Sequence, residues 1–235
     1  MSLIKRNNPR TVKFTTHINP YAYGSVIAEF GNTKVHVTAM VEEKVPPFLK
    51  GKGVGWVTSE YSMLPASSAQ RIERERKGAG GRTQEIQRLI GRSLRAIIDT
   101  KKLGERTITI DCDVLVADGG TRTTSVSGAY VALSLAVARM MKEGLLKENP
   151  LTAQLGALSV GIDKEGKIIA DLNYEEDSSC ETDMNIVMTS EGKFVEIQGT
   201  AEGAPFSAEQ LGALIECAKF ALKTVFEEQN KVLKV

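Results

Sequence analysis

The sequence predicts a fold that mixes β-strands with a few long helices, and three observations support this prediction. Several segments alternate apolar and polar residues between glycine or asparagine turns, a pattern typical of paired strands. Residues 124–142 are small or apolar nearly all round, which is typical of a helix buried on every side. After Ser207, apolar residues recur at helical spacing almost to the end of the chain.

Length and composition set the class of protein. The chain has 235 residues, of which 42% are hydrophobic, enough for one large domain or two small ones with a proper core. The net charge is +1, so a nucleic-acid site must be a local patch rather than a field over the whole molecule. No flexible linker is visible. We expect a single domain over residues 1–235, with a possible subdivision near 149–155 into parts 1–150 and 151–235.

Cysteine content and the N-terminus indicate the compartment. Cys112, Cys180 and Cys217 are an odd number with no paired spacing, which argues for a reducing compartment and against a disulfide framework or a zinc site. The first ten residues are polar and basic without an apolar core, so we expect no signal peptide. We expect no apolar segment that is long enough and sufficiently free of charge to span a membrane. The expectation is a cytoplasmic protein with no membrane partner.

The N-terminal half begins with strands. Gly31-Asn32 is a two-residue hairpin signal between two segments of strand character. The two histidines, His17 and His36, lack a Ser or Cys partner pattern, so we expect structural or solvated roles for both. Strands are expected at residues 12–14, 24–30, 33–41, 56–63 and 106–116.

The most informative stretch is Asp118-Gly119-Gly120-Thr121-Arg122-Thr123-Thr124-Ser125, which follows a strand and opens the buried helix. Its glycines let backbone N–H groups approach a bound group, because no Cβ intervenes. The start of a helix leaves N–H donors unpaired and carries a partial positive charge. Such a loop suits an anion, and we expect phosphate, although the loop lacks the P-loop spacing. The alternative is a glycine turn whose Thr and Ser residues cap the helix, and the stretch alone leaves both open.

A second glycine turn, Gly80-Gly81-Arg82-Thr83, opens another helix with its own apolar stripe. The chain therefore has two helix starts that each carry Gly-Gly, Arg and Thr. Two such loops converging on one anion would strengthen the anion hypothesis. Arg88, Arg92 and Arg95 fall on another face of this helix, and we favour a solvated or subunit-facing surface over RNA contact for them.

A charged loop precedes the second glycine turn. Its cations are Arg71, Arg74, Arg76 and Lys77, and they could follow a phosphate backbone. Two glutamates between them offset part of that charge, so a solvated loop is an equal alternative. The loop contains no aromatic residues, and base stacking there is unsupported.

The second half of the chain places an acidic segment, residues 173–185, among strands. Most acidic turns are simply solvated, but two of these acids abut apolar residues that should be buried. Carboxylates beside a phosphate site suit Mg²⁺, and a positioned acid can protonate a leaving oxygen. The chain ends in a helix that begins with the capping-box pair Ser207 and Gln210. The strands expected here span residues 155–162, 167–172, 186–188 and 193–198.

The sequence resembles the bacterial ribonuclease PH family of phosphate-dependent exoribonucleases from about Gly24 to the final helix. Many short stretches match in the same order, which leaves little room for chance. The most specific are Asp111-Cys112-Asp113-Val114, Ala117-Asp118-Gly119-Gly120-Thr121-Arg122-Thr123, Glu176-Asp177-Ser178 and Asp183-Met184-Asn185, supported by Gly81-Arg82-Thr83, Gly55-Trp56-Val57-Thr58 and Gln198-Gly199-Thr200.

The resemblance implies an α+β fold, shared with exosome ring subunits, and a hexameric ring built as a trimer of dimers. It implies a phosphate pocket of Arg82, Gly120, Thr121 and Arg122. Asp177 and Asp183 would form the catalytic acid pair and bind Mg²⁺ or another divalent metal. In this family inorganic phosphate is the co-substrate that removes nucleotides from RNA 3′ ends, notably those of tRNA precursors. The products are nucleoside diphosphates, and the reverse reaction adds nucleotides.

The implied chemistry agrees with the residues. Phosphate is already a nucleophile and needs no Ser, Cys or His to activate it, but cationic forks must hold it against a second phosphate. The family pattern is weaker before residue 24, where Tyr23 replaces the usual acid. The basic loop looks about two residues shorter than usual, and Ala66 stands where an arginine is common. Arg71 and Arg74 match positions that contact the tRNA body in the family, so these departures bear on tRNA affinity.

Two other functions compete with this hypothesis. A non-catalytic ring subunit would only bind RNA, and the joint presence of the arginine and aspartate sets argues against it. A small-molecule kinase of related α+β architecture would require a nucleotide-binding signature that the sequence lacks.

Overall fold

The computed structural model describes residues 3–234. Helices and strands alternate irregularly, with a long helix in the middle of the chain and another at its end. The strands are β1 (Ile4–Arg6), β2 (Val12–Thr16), β3 (Gly24–Phe30), β4 (Thr33–Glu42), β5 (Trp56–Met63), β6 (Thr107–Val116), β7 (Leu155–Ile162), β8 (Ile168–Ala170), β9 (Thr182–Thr189) and β10 (Phe194–Ala201). The α-helices are α1 (Gly81–Arg95), α2 (Thr100–Leu103), α3 (Thr121–Lys142), α4 (Tyr174–Ser179) and α5 (Ala208–Leu233), and a 3-10 helix spans Pro47–Leu49.

The strands form two five-stranded sheets. The first sheet has the order β2-β3-β4-β6-β5, and the second has the order β1-β8-β7-β9-β10. Antiparallel pairs dominate, but β5 lies parallel to β6 and β1 lies parallel to β8. The predicted α+β class is therefore confirmed. The subdivision near 149–155 stays a prediction, and β1 crosses it, because this N-terminal strand joins the sheet of the C-terminal half.

Helix α3 lies at the centre, between the two sheets, and contacts β3 and β4 on one side and β7 on the other. Its small residues allow this close packing. A Cβ on Gly128 would lie 2.8 Å from the Cβ of Ala28, and a Cβ on Gly24 would collide with the backbone of Ala132. The buried hydroxyl of Ser127 bonds the backbone of Ala157. One continuous apolar core runs through both sheets, α1, α3 and α5.

The central position of α3 also corrects one expectation. By length and composition α3 is long and apolar enough to cross a membrane, so the judgement that no run reaches this size was wrong. Most of the helix is buried inside the protein, as expected for a core helix.

Most of the predicted strands and helices are present, with a few differences at their ends. Helix α3 starts at Thr121, three residues before the predicted start at residue 124, so the Thr-Arg-Thr stretch forms its first turn. The capping box that opens α5 is present as predicted. The predicted acidic turn instead contains a short helix, α4, which its own capping box, Asn173 with Glu176, stabilises at the N-terminus. The three-residue strand β1 and the four-residue helix α2 are too short for periodicity to reveal.

Candidate active site

A cleft of about 1600 Å³ opens where the N-terminus of α3 faces α4 and strands β9 and β10. Its walls come from both halves of the chain. All six residues predicted for catalysis or phosphate binding line it: Arg82, Gly120, Thr121, Arg122, Asp177 and Asp183. Neither histidine is among the lining residues.

The N-terminus of α3 forms one wall. Gly120 is the N-cap residue and adopts a left-handed conformation, with φ 66° and ψ 23°, which glycine tolerates without strain. Among the described residues no side chain caps this helix. The hydroxyls of Thr123 and Ser125 instead donate to the carbonyls of Gly120 and Thr121. Of the two hypotheses for this stretch, capping by Thr or Ser is therefore wrong, and the first residues of α3, whose N–H groups have no partner within the helix, line the cleft.

Tyr61 fixes the first residue of α3. Its hydroxyl donates a 2.9 Å hydrogen bond to Thr121 Oγ1, and both side chains are buried. Burial raises the pKa of Tyr61, so the phenol remains a donor. The hydrogen bond ties the side chain of this cleft-lining residue to strand β5. In the sequence, the alternation pattern around Tyr61 marks it only as a core strand residue, without a signal for the site.

The guanidinium of Arg122 is held from the opposite wall. Its Nη1 donates to Gln198 Oε1 at 3.1 Å and lies 3.4 Å from Glu85 Oε1. Gln198 in turn donates to Glu85 at 3.2 Å. Arg82, in the first turn of α1, is exposed and lines the same cleft. A glutamate and a glutamine that no local motif marks as site residues thus orient the guanidinium of Arg122.

The two aspartates line the same cleft from different elements. Asp177 lies on α4 and is exposed to the cleft, while the half-buried Asp183 lies on β9. Desolvation raises the pKa of Asp177, against the opposing effect of Arg122 and Arg82. Desolvation also raises the pKa of Asp183, and the negative charges of Asp177 and Glu202 add to the rise. One of the pair is therefore more easily protonated than an isolated aspartate.

The acid pair fits a hard divalent metal in one specific way. Among residues 3–234, no three His, Cys, Asp or Glu side chains are grouped as a metal cage. Mg²⁺ typically binds proteins through only one or two carboxylates and keeps several waters. The mutually repelling oxygens of Asp177 and Asp183 offer that number of ligands, in a cleft large enough for the waters.

The predicted RNA-contact loop lies beside the cleft rather than in it. Arg71, Arg74 and Arg76 are exposed in the irregular segment between β5 and α1. They are not among the lining residues, although the neighbouring Ser68, Ala69 and Gln70 are. RNA contact by the three arginines stays a prediction.

Two arginines of helix α1, Arg92 and Arg95, make different contacts. Arg92 pairs with Glu196 of β10 at 3.3 Å. The guanidinium of Arg95 lies 4.5 Å from the centre of the Trp56 ring and donates to Val57 O. Arg95 is therefore not a freely solvated side chain, because stacking and a hydrogen bond hold it against β5, and the subunit-facing alternative stays a prediction.

Comparisons with known protein families agree with the geometry of the cleft. A model described as the 3′ exoribonuclease family, domain 1, matches residues 8–138, and its domain 2 matches residues 154–221. Among curated relatives, the protein named ribonuclease PH of Bacillus pumilus (strain SAFR-032) is 58% identical over 211 residues, covering 89% of this chain and 87% of the relative. The ribonuclease PH of Bacillus subtilis (strain 168) is 54% identical over 226 residues, covering 95% of this chain and 92% of the relative.

Solved structures show the same fold at lower identity. Rice Rrp46 superimposes with a TM-score of 0.79 at 18% identity, covering 98% of both chains. A chain of the Archaeoglobus fulgidus exosome with RNA bound to the active site gives a TM-score of 0.78 at 19% identity, covering 94% of this chain and 89% of that one. At such identities the likeness concerns the fold alone. The family models and the curated relatives carry the assignment and confirm the predicted resemblance: the chain belongs to the ribonuclease PH family of 3′ exoribonucleases.

Proposed function

We propose that this protein is a phosphate-dependent 3′-to-5′ exoribonuclease that shortens RNA by one nucleotide at a time. The single observation that carries the proposal is the composition of the cleft. An uncapped helix N-terminus and two arginines lie in the same cavity as an aspartate pair. The first set suits an attacking phosphate, and the second suits the scissile group and its leaving oxygen.

The phosphate seat would consist of Arg82, Arg122, Thr121 and the N–H groups that follow Gly120. Arginine offers a planar fork that stays charged and can bind two phosphate oxygens at once. The helix N-terminus adds partial positive charge without adding a group that titrates. Both features are needed because the nucleophile and the target are anions, which repel each other at close range.

The reaction exchanges one P–O bond for another. An oxygen of inorganic phosphate attacks the phosphorus of the terminal phosphodiester, and the bond from that phosphorus to the 3′ oxygen of the preceding nucleotide breaks. That oxygen takes a proton and becomes the new 3′ hydroxyl, while a nucleoside diphosphate leaves. We assign the proton donor to the pair Asp177 and Asp183, whose raised pKa values favour one protonated carboxyl. When the same steps run in reverse, they add a nucleotide to the RNA.

Mg²⁺ or another divalent metal belongs to this proposal. Asp177 and Asp183 are its candidate ligands: one ionised carboxylate of the pair would hold the metal while the other carries the proton for the leaving oxygen, and the metal would neutralise charge on the scissile phosphate. Arg122 and Arg82 would orient the attacking phosphate. The pair Asp177 and Asp183 would supply the proton that the leaving oxygen takes.

The substrate and the assembly are also part of the proposal. We infer that the substrates are RNA 3′ ends, with tRNA precursors as the main class. Arg71, Arg74 and Arg76 would contact the RNA backbone outside the cleft, since they are exposed cations at its margin. A homohexameric ring, a trimer of dimers, is the assembly we propose. Its support is the family membership and the fold shared with exosome chains.

The test is a product analysis on a 3′-extended tRNA. The protein and Mg²⁺ are incubated with the RNA, with and without inorganic phosphate, and the mononucleotides are identified. Nucleoside diphosphates that appear only with phosphate support the proposal. Nucleoside monophosphates formed without phosphate would overturn it, and binding without digestion would favour a non-catalytic ring subunit.

A further inference from the structure

The N-terminal segment, residues 4–10, connects the two sheets and contacts the glycine loop and α4, which both line the cleft. Its first part is β1, which pairs with β8 of the second sheet, and the chain then enters β2 of the first sheet. Between them, Arg10 has only 11% of its side chain exposed. The family pattern is weakest here, yet the segment provides the contacts described below.

Arg10 forms a forked ion pair with Asp171, which follows β8. Nε donates to Asp171 Oδ2 and Nη2 donates to Oδ1, both at 2.8 Å, and the backbone N–H of Arg10 donates to Oδ2 at 3.0 Å. Asp171 is completely buried and has a positive φ of 55°, a conformation uncommon for a residue other than glycine. A buried ion pair is weak evidence for stability, since desolvation offsets the attraction, but it can fix one geometry.

The other edge of the Arg10 guanidinium holds the glycine loop, residues 118–120, which leads into α3. Nη1 donates to Asp118 O at 2.5 Å, and Nη2 lies 3.4 Å from Gly119 O. Thr33 of β4 bonds the same loop from the first sheet. Arg10 is therefore the link that ties this loop to the second sheet, through Asp171.

The loop also touches the acid-bearing side directly. A Cβ on Gly119 would collide with the backbone of Leu172 and Asn173, so loop and strand end are in close contact. The carboxylate of Asp118 accepts a 3.3 Å hydrogen bond from the N–H of Tyr174, in the first turn of α4. A small shift of the glycine loop would therefore change its distance to α4.

Arg6 provides a second clamp, on α4 itself. Its Nη1 and Nη2 each donate to Glu176 at 2.7 Å, and it also donates to the carbonyls of Ala170 and Asp171. Glu176 precedes Asp177 in a helix of six residues, which is too short to hold its position alone. The two arginines, four residues apart, thus secure opposite walls of one cleft.

We propose that Arg10, through Asp171, is a positioning residue that places the phosphate-binding loop, and that Arg6, through Glu176, is the matching positioning residue for the helix that carries Asp177. The inference rests on the proposed function, because it takes the loop as the phosphate seat and Asp177 as part of the acid pair. Each clamp then governs a different measurable property of the enzyme. The Arg10 clamp sets phosphate affinity, and the Arg6 clamp sets the rate of the chemical step.

The test uses the same substitution at both sites, Arg10→Lys and Arg6→Lys, in the full chain. Lysine keeps the charge but not the fork, so each variant loses its simultaneous bonds to a carboxylate and to backbone carbonyls. Inorganic phosphate binding is measured directly by calorimetry, and kcat and KM for phosphate and RNA are measured by turnover. Lys13→Arg, at an exposed 3.9 Å pair with Glu29, is the control.

We expect Arg10→Lys to weaken phosphate binding at least about tenfold with little change in the KM for RNA, since a displacement of about 1 Å can cost up to 10²-fold. Arg6→Lys should lower kcat by a similar factor and leave phosphate affinity within about twofold. Unchanged phosphate affinity in a folded Arg10→Lys, or the same pattern of losses in both variants, would overturn the inference. The control should match the unaltered protein.

Misfolding of Arg10→Lys and failure of the proposed function can each be distinguished from failure of the inference. If Arg10→Lys does not fold, Asp171→Asn carries the same expectation, because it keeps the shape of the pair and weakens the fork; normal phosphate affinity in that variant would overturn the inference. An unaltered protein that binds phosphate but releases no nucleoside diphosphate would contradict the proposed function instead. The calorimetric comparison of Arg10→Lys would still decide the Arg10 clamp.

Discussion

The phenol of Tyr61 and the hydroxyl of Thr121 form a buried 2.9 Å hydrogen bond that joins strand β5 to the first turn of α3. Thr121 also lines the cleft, beside Gly120 and Arg122. The bond connects the rigid core of the first sheet to the phosphate seat. It shows that the position of Thr121 depends on a residue far from it in sequence.

Tyr61→Phe should weaken phosphate use without unfolding the protein. Loss of one neutral hydrogen bond costs about 0.5–1.5 kcal/mol of binding free energy, which corresponds to a rise of roughly two- to tenfold in the KM for phosphate. Tyr130→Phe is the matched control, since it removes another buried phenol, on α3, that does not line the cleft. A phosphate KM that moves equally in both variants would show that Tyr61 acts only through packing.

Arg122→Ala should weaken phosphate binding far more than RNA binding. A hydrogen bond between charged groups contributes about 1.5–3 kcal/mol, so we expect a loss of about 10- to 100-fold in phosphate affinity. Arg92→Ala removes an arginine from α1 that pairs with Glu196 and does not line the cleft, and it should leave phosphate affinity unchanged. Calorimetry with phosphate and filter binding with RNA separate the two effects; equal losses in both for Arg122→Ala would contradict its assigned role.

Asp183→Asn should stop turnover and, in metal-free buffer, stabilise the fold. General acid catalysis typically contributes about 10²- to 10⁴-fold, and we expect a fall in kcat of that order. The stability gain follows from the raised pKa of the Asp183 carboxyl. Because solvent in the cleft screens the repulsion, the gain should stay below about 1 kcal/mol, or a few degrees in Tm.

The pH dependence of that gain has a definite sign. A folded-state pKa above the ordinary 3.8 means that ionised Asp183 opposes folding, and the penalty develops as pH rises through the window that starts near 3.8. The Tm difference between Asp183→Asn and the unaltered protein should therefore be present at neutral pH and vanish below that window. Asp111→Asn is the control: burial raises the pKa of Asp111 too, but it lies outside the cleft, so turnover should survive. Normal turnover in Asp183→Asn would remove it from the acid pair.

Gly119→Ala should damage both the fold and the site, and Gly144→Ala provides a matched comparison. Both glycines have a φ of 75°, but a Cβ on Gly144 would meet open space, whereas one on Gly119 would strike the backbone at Leu172 and Asn173. The left-handed conformation alone costs roughly 1–2 kcal/mol, which is the loss we expect for Gly144→Ala. Denaturant melts should give a larger loss for Gly119→Ala, together with weaker phosphate binding. Equal losses would mean that the loop and α4 are not in firm contact.

Much of the fold could be predicted from local pattern. The alternation of β4, the glycine turn before α1 and the apolar surface of α3 are each encoded within a few consecutive residues, and periodicity reveals them. Helix α4 was missed because acidic composition suggested a solvated turn, although the Asn173 and Glu176 spacing is a capping-box signal. The first turn of α3 was placed outside the helix because threonine and arginine there looked like loop residues.

The charged residues of the site could be predicted from the sequence, but the residues that position them could not. Arg122 and the two aspartates stand in distinctive local motifs, so their residue types alone indicate phosphate and acid chemistry. Tyr61, Gln198 and the Arg10–Asp171 pair act through contacts between segments separated by 60 to 161 positions. No local pattern encodes such contacts. They depend on how α3 brings the two sheets together.

The origin of the oxygen atoms in the product tests the central claim most directly. The RNA is digested with inorganic phosphate labelled with oxygen-18, and the mononucleotides are analysed by mass spectrometry. If phosphate is the nucleophile held by Arg122 and the N-terminus of α3, the nucleoside diphosphates will retain all the labelled oxygens of the phosphate, including the bridging one. Nucleoside monophosphates whose new oxygen comes from water would contradict the account.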